Sequence, residues 1–357
     1  MDEPFRSHGN RRWRRSSAWH QYQSKARSEK DVRTCCSNLA GIRRRHAQPG
    51  RTLWRRHWPD GKSALRLALS IGLLAVAVCP PHCSAQERKQ GPSKIDKFVT
   101  VYGAKIHYVE AGNGAPLILV HGLADSVEIW DPVIPPLAAK FRVIAFDEIG
   151  FGHSDKPLLD YRVSTFVDFL DGFLKELKIE HASLVGNSLG GWIAAAFALA
   201  HPERVDRLVL CDAAGYRALA QAMGPRTLDA LKLASRDDIR YLGPLTFHNK
   251  QFYEGTAVDD AFRQRVIAGD NYTVSRVLDS LIRGDDALDN RLHEINRPTL
   301  ILWGRDDKLI PLSFGERFHQ EIAGSQLRIV DNCGHMPQIE CANEFTTAVL
   351  QFLTDAK

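Results

Sequence analysis

Between Ala182 and Ala200 the chain reads ASLVGNSLGGWIAAAFALA, and this stretch limits its possible folds more tightly than any other. Ala182 to Val185 form an apolar run suited to the end of a buried strand. Leu189, Trp192, Ile193, Ala196, Phe197 and Ala200 then recur at helical spacing, with no proline before Pro202. The join is Gly186-Asn187-Ser188-Leu189-Gly190, a G-x-S-x-G pattern in which a serine is held at a sharp strand-to-helix turn. Such a turn strains the serine's backbone, so the residues two places on either side must be nearly free of side chain, and Gly186 and Gly190 meet that demand. A glycine-rich turn of the dinucleotide-binding kind has the same local look. The rest of the chain has to decide between the two.

The 357 residues carry a formal net charge of +5, which invites a polyanion partner until its distribution is read. Residues 1–62 hold 13 Arg and 3 Lys against 5 acidic residues and show almost no apolar periodicity, so this leader is expected to be disordered. Residues 63–85 add only Arg66, leaving residues 86–357 net acidic, and a nucleic-acid partner for the body is disfavoured. Leu65 to Cys79 is an apolar run too short for a comfortable membrane span, which needs about 20 residues. Basic residues precede it, Pro80-Pro81 break it, and Cys83-Ser84-Ala85 offers small residues, the order of a secretory signal peptide processed near Ala85. Export, periplasmic or secreted, is the expectation, with an uncleaved anchor through residues 65–79 as the alternative. The basic region is long for a signal, and a translation start downstream of residues 1–50 would explain it. Arg55-Arg56 and the segment around Cys79 match twin-arginine and lipid-attachment patterns poorly. Of seven Cys, four lie in the leader. Cys211, Cys333 and Cys341 remain, without metal-ligand spacing, and read as three small buried thiols unless an oxidising compartment bridges Cys333 to Cys341.

Along the body, Phe98 to Ala111 alternates around Gly103 as a hairpin would. Leu117–Val120, Val143–Phe146, Leu208–Cys211, Thr299–Trp303 and Leu327–Val330 are short apolar runs of the central parallel kind, and Ile129–Phe141, Phe166–Leu177 and the segment around Val349–Leu353 have helical spacing. Alternation of this sort predicts an α/β fold, a mostly parallel sheet covered on both faces, with ligands gathering at the carboxyl ends of the strands. Residues 213–296 break the rhythm, being charged and helix-biased. They read as a helical cap inserted into a core formed by residues 86–212 and 297–357.

Five motifs in chain order now carry a resemblance. They are His121-Gly122, the D-x-x-G-x-G-x-S-D-K-P stretch from Asp147, GNSLGG, W-G-x-x-D from Trp303, and G-H-x-P-x-x-E from Gly334. Over residues 95–355 the chain resembles an α/β-hydrolase, in the serine carboxylesterase and lipase-like branch, and is similar also to the C–C hydrolases that cleave ring-fission products of aromatic degradation. The resemblance implies a Ser-Asp-His order, with Ser188 as nucleophile, His335 as base and an acid to fix the imidazole. Of the nine His in the body, His335 alone sits in a small-residue loop directly after a late strand. Spacing alone does not separate Asp306 from Asp307; the family pattern places the acid at Asp307. Asp212, ending a neighbouring strand, is a third candidate, and is expected instead to order the loop into the cap. The backbone N–H groups of Leu123 and Leu189 are implied as oxyanion donors. His121 and Asp147 to Pro157 are expected to be loop architecture.

A serine at the elbow argues against relatives that use aspartate there. The ring-fission C–C hydrolases typically carry Ser-Gly-Pro-Gly after HG and Trp after the histidine; here Leu123-Ala124-Asp125-Ser126 and Met336 stand in those places. Both departures, and export, favour hydrolysis of a carboxylic ester with an apolar acyl or alcohol group. The implied chemistry needs no cofactor and no metal. A hydrolase fold kept as a non-catalytic binding module is the reading from another class, and the intact Ser188, Asp307 and His335 set argues against it. In the cap, Phe247, Phe252, Tyr253, Phe262, Val266 and Leu281 are expected to wall a groove that selects chain length.

Overall fold

A computed structural model describes residues 94–355; the leader, the signal-peptide or anchor reading at 63–85 and the processing point near Ala85 lie outside the described residues. Eight strands make one sheet in the order β1-β2-β4-β3-β5-β6-β7-β8. The expected hairpin forms its edge, β1 (Ile95–Val101) pairing antiparallel with β2 (Ala104–Ala111), which pairs antiparallel with β4 (Arg142–Phe146). Every later pairing is parallel: β3 (Pro116–Val120), β5 (Ala182–Asn187), β6 (Val205–Cys211), β7 (Thr299–Gly304) and β8 (Gln326–Val330).

The run Leu117–Val120 shows why a central strand here is apolar without alternation. Ile118 and Val120 join one core with α2 (Val163–Glu176) and α3 (Leu189–Ala200), while Leu117 and Leu119 join a second core on the other face with α1 (Ile134–Ala138) and a C-terminal helix. Both faces of the pleat are covered, so both sets of side chains must be apolar. Ile129–Phe141 has helical spacing with the helix-breaking Pro132, Pro135 and Pro136 near its start, and the structure divides it between a 3-10 turn at Val127–Trp130 and the five-residue α1, because a proline can open a helix but not continue one.

Between β6 and β7 the cap contributes α4 (Ala218–Ala230), broken at Gly224-Pro225, then α5 (Arg236–Thr246), α6 (Ala257–Ala268) and α7 (Asn271–Arg283). The side chain of Ser235 accepts from Asp238 N–H and Asp238 returns the bond, a capping box that starts α5 and contributes about 1 kcal/mol. After β7 come α8 (Leu312–Glu321), the short α9 (Pro337–Glu340) and α10 (Ala342–Thr354), which supplies Phe345, Val349 and Phe352 to the second core. Among the described residues no helix is long and apolar enough to cross a membrane.

Candidate active site

The serine turn has the strained backbone that its glycines imply. Ser188 adopts φ +57° and ψ −118°, outside the regions comfortable for a residue with a side chain. A Cβ on Gly190 would stand 2.1 Å from the carbonyl oxygen of Val120, and one on Gly186 would stand 2.2 Å from that of Gly190, so neither position tolerates a larger residue. The strain is held by packing and hydrogen bonds. Helix α3 is apolar all round and buried, Ser188 N–H donates to Cys211 O at 3.0 Å, and Ala214 N–H donates to Ser188 O at 3.0 Å.

The histidine and acid arrive from the ends of β8 and β7. His335 Nδ1–H donates to Asp307 Oδ2 at 2.7 Å, and both side chains are buried. The other carboxylate oxygen of Asp307 accepts from the N–H groups of Leu309 and Ile310, at 2.8 and 2.9 Å. Asp306, its sequence neighbour, turns outward and pairs with His248 at 2.9 Å, so geometry separates the two acids where spacing could not. Asn187 ties serine and histidine loops together: its Nδ2 donates to His335 O at 3.0 Å, and its Oδ1 accepts from Gln338 at 3.1 Å. Sequence reasoning passed over Asn187, although it stands inside GNSLGG.

The histidine loop is fastened twice more. Cys333 and Cys341 form a disulfide that closes over His335, so the reading of three free thiols is corrected to one, the buried Cys211. Glu340, last residue of the G-H-x-P-x-x-E motif, accepts from Gly334 N–H at 2.7 Å and from the cap's His248 and Asn249 N–H at 3.2 and 2.5 Å. His335 N–H donates to the cap's Thr246 O at 2.7 Å and Lys308 N–H to Leu245 O at 3.1 Å.

Leu123 and Leu189 line, with Ser188, a narrow cavity of about 50 Å³. Its remaining walls are apolar and come partly from the cap: Trp192, Leu219, Met223, Leu231, Val277, Leu278 and Leu281. Of the six cap residues expected to wall the groove, only Leu281 does so. Phe247 and Phe252 stack on each other with centroids 5.3 Å apart, Tyr253 packs against Gly243, Phe262 takes the Arg236 guanidinium on its ring, and Val266 is exposed. Interleaved Arg and Asp mark the cap's own outer packing; the lining belongs to plain Leu and Val on the inner faces of α4 and α7.

His121 is a brace, as expected. Burial holds its pKa below the ordinary value, so it is neutral, Nδ1–H donating to Gly122 O at 2.8 Å and Nε2 accepting from Glu148 N–H at 3.1 Å. Asp147 is loop architecture too, accepting from Val127 N–H, His153 N–H and His107 Nδ1–H. His107, Asp147 and His153 lie close enough to hold an ion, as do Cys333, Glu340 and Cys341 and also Asp212, Asp307 and His335, but hydrogen bonds or the disulfide account for these groups. Two acidic residues were not anticipated. Burial pushes Asp125, on the loop after His121-Gly122, up to about 7 against the opposing charges of Arg265 and His335. Burial and then the nearby Asp125 and Asp147 hold Glu148 well above the usual carboxylate range, with neither of its oxygens hydrogen-bonded. On the cap side Arg265 is buried, donating to both oxygens of Asp270 at 2.5 and 3.0 Å and to Ala124 O at 3.1 Å. Asp212 does not order the loop into the cap; its carboxylate accepts from Gly304 N–H at 2.9 Å.

The profile of one family, described as the alpha/beta hydrolase fold, matches residues 115–342. The chain belongs to that family, and it is a hydrolase. It is 34% identical over 283 residues to 2-hydroxymuconate semialdehyde hydrolase of Pseudomonas sp. (strain CF600), an alignment covering 75% of this chain and 96% of that protein. Among solved structures it is similar to a meta-cleavage product hydrolase, CumD, with TM-score 0.68 and 32% identity, covering 73% of this chain and 99% of that one. It is similar also to a membrane phospholipase A described as a bacterial virulence factor, with TM-score 0.65 and 28% identity, covering 74% and 86%.

Proposed function

We propose that this hydrolase uses Ser188 as nucleophile, His335 as general base and Asp307 as the acid that orients it, and that its substrate is a carboxylic ester with an apolar acyl group. Ser188 Oγ attacks the carbonyl carbon as His335 takes its proton; the backbone N–H groups of Leu123 and Leu189 receive the oxyanion; His335 returns the proton to the leaving alcohol. Water then hydrolyses the acyl-enzyme by the same route. The observation that carries the ester reading is the cavity at Ser188, whose walls are aliphatic and aromatic side chains with no charged group among them. The disulfide beside His335 supports the expected export, since such bridges persist in oxidising compartments.

The second reading is hydrolysis of a carbon–carbon bond in a ring-fission product, and the names of the relatives support it better than they support the ester. Two of the three similar proteins above are hydrolases of that kind. Against it stands the state of Arg265, the buried cation whose guanidinium bonds to Ala124 O beside Leu123. Many substrates in this class are dienoates, as the name 2-hydroxy-6-oxo-2,4-heptadienoate of a further relative states, and the Arg265 guanidinium is already bound to Asp270. A panel of p-nitrophenyl esters of rising acyl length, run beside a 2-hydroxy-6-oxo-dienoate, decides. Ester turnover with an optimum length and no dienoate cleavage upholds the first reading. Efficient dienoate cleavage with ester rates near background replaces it with the second.

A further inference from the structure

His335, the proposed base, sits inside a small covalent ring. Cys333 follows β8 and Cys341 stands at the corner between α9 and α10, and their bridge, at a sequence separation of 8, closes a loop that holds Gly334, His335, Gln338 and Glu340. One side of the ring is anchored, because Cys333 is buried in the second core, to which α10 gives Phe345, Val349 and Phe352. The other sulfur is within reach of solvent, since Cys341 is only partly buried.

The loop's other polar ties are hydrogen bonds, and they depend on one another. Gln338 holds Asn187 of the elbow, and Glu340 takes N–H groups from Gly334 and from His248 and Asn249, which are exposed on the cap. Close by in the cap, Thr246 O accepts from His335 N–H. The cap strap 246–249 therefore steadies the histidine, while Glu340, inside the ring, steadies the strap. An oxygen of Glu340 and the two sulfurs lie within 4.8 Å of one another, so the bridge stands at the centre of this mutual support. Opening the ring returns conformational freedom to the loop, and a catalytic group displaced by about 1 Å costs about 10²-fold in rate.

We propose that the Cys333–Cys341 bridge is a reversible thiol switch on the base: closed, it holds His335 in place beside Asp307; opened, it frees the loop and turns hydrolysis off. The proposal rests on the Ser188, His335 and Asp307 reading. The reductant is a small thiol of the glutathione class. Its thiolate attacks the accessible Cys341 sulfur, the S–S bond breaks, and Cys333 leaves with the electron pair and takes a proton. A second thiolate displaces Cys341 from the mixed disulfide, and Cys341 takes a proton in turn. The pair has then gained two electrons and two protons, and the reductant leaves as its own disulfide. Oxidised glutathione runs the exchange backwards, so a copy among reducing thiols is off and one in an oxidising compartment is on.

The test takes the full chain, purified without reductant, through a series of reduced and oxidised glutathione buffers. At each point, alkylation and peptide mass spectrometry give the bridged fraction at Cys333 and Cys341, p-nitrophenyl ester turnover gives kcat and KM, and a fluorophosphonate gives the labelling rate of Ser188. The expected result is a kcat that falls about 10²-fold in step with the bridged fraction, with KM little changed, a cooperative melt still above the assay temperature, and full recovery in oxidised glutathione. Cys211 is a free buried thiol in either buffer and does not account for such a change. Cys341→Ser should sit at the reduced level and no longer respond to glutathione. A kcat that holds while both cysteines alkylate, a Cys341→Ser as active as the bridged protein, or a Cys333 and Cys341 that are never found bridged overturns the switch. Activity lost only where the cooperative melt is lost also overturns it, because the bridge is then a plain staple. If Cys341→Ser does not fold, the glutathione series decides alone. Failure of the catalytic reading looks different, because fully bridged protein would then carry no adduct on Ser188.

Discussion

The sheet-end loops and the cap hold their side chains by different means. In the loops, polar groups are fixed by hydrogen bonds, most of them to the backbone: Asp307 by Leu309 and Ile310 N–H, Asn187 between His335 O and the Gln338 side chain, Glu340 by three N–H groups. On the inner faces of α4 and α7, Leu219, Val277, Leu278 and Leu281 are held by apolar packing alone. Hydrogen bonds fix an atom to within tenths of an ångström, and catalysis needs that. Apolar packing fixes a volume, which leaves substrate choice open to change one methylene at a time.

Four experiments sharpen or break this contrast. The largest effect belongs to Ser188→Ala, which should lower kcat by about 10⁶-fold, as loss of the nucleophile does in a serine protease, and abolish fluorophosphonate labelling while the protein still melts cooperatively. Labelling that persists at another residue would move the nucleophile. Next, Asp307→Asn should reduce turnover at least tenfold more than Asp306→Asn, because Asp306 pairs only with the partly exposed His248. Equal losses would place the working acid elsewhere. In the cap, Leu278→Ala should redistribute kcat/KM among acyl lengths by about 1–3 kcal/mol, whereas Phe252→Ala, in the stacked pair with Phe247, should lower the melting temperature and leave the length profile in place. If both variants shift the profile alike, the division between lining and outer packing fails. The smallest effect is a slope of stability with pH. Asp125 has a folded-state pKa raised to about 7, so the folded chain holds that proton more tightly than the unfolded one. Its contribution is fully present below the ordinary carboxylate range and is lost as pH rises to about 7. Asp125→Asn should flatten that part of a denaturation series, and an unchanged slope would show that Asp125 is ionised in the fold.

The same contrast explains what the sequence made legible. A strand buried on both faces must be apolar throughout, so Leu117–Val120 and Thr299–Trp303 announce themselves, and the elbow demands glycine at 186 and 190 whatever surrounds it. The serine, the histidine and the family register at Asp307 followed from local patterns and the order of motifs. What stayed hidden depends on contacts between distant segments. The disulfide from Cys333 to Cys341 was one of two open readings, and nothing in the string Asp-Ala-Ala-Gly after Cys211 says that Asp212 turns toward Asp307. The cap misled for a physical reason. Aromatic residues near Arg and Asp suggest a groove, yet rings take guanidinium groups and stack at a wet surface as readily as they line a pocket.

The bonds that Thr246 O and Leu245 O accept from His335 N–H and Lys308 N–H join segments that are synthesised at different times. Asn187 meets its partner carbonyl at His335 across 148 residues of sequence, and the histidine's own N–H bonds to a cap segment lying between the two. A chain leaving the ribosome presents the elbow well before β8, His335 and the Cys333–Cys341 disulfide. Throughout that interval Ser188 is without His335, the base proposed for it, and Asn187 is without its partners at His335 and Gln338. On the proposed mechanism, a chain cut short before Gly334 keeps the elbow but lacks His335, and is expected to hydrolyse nothing.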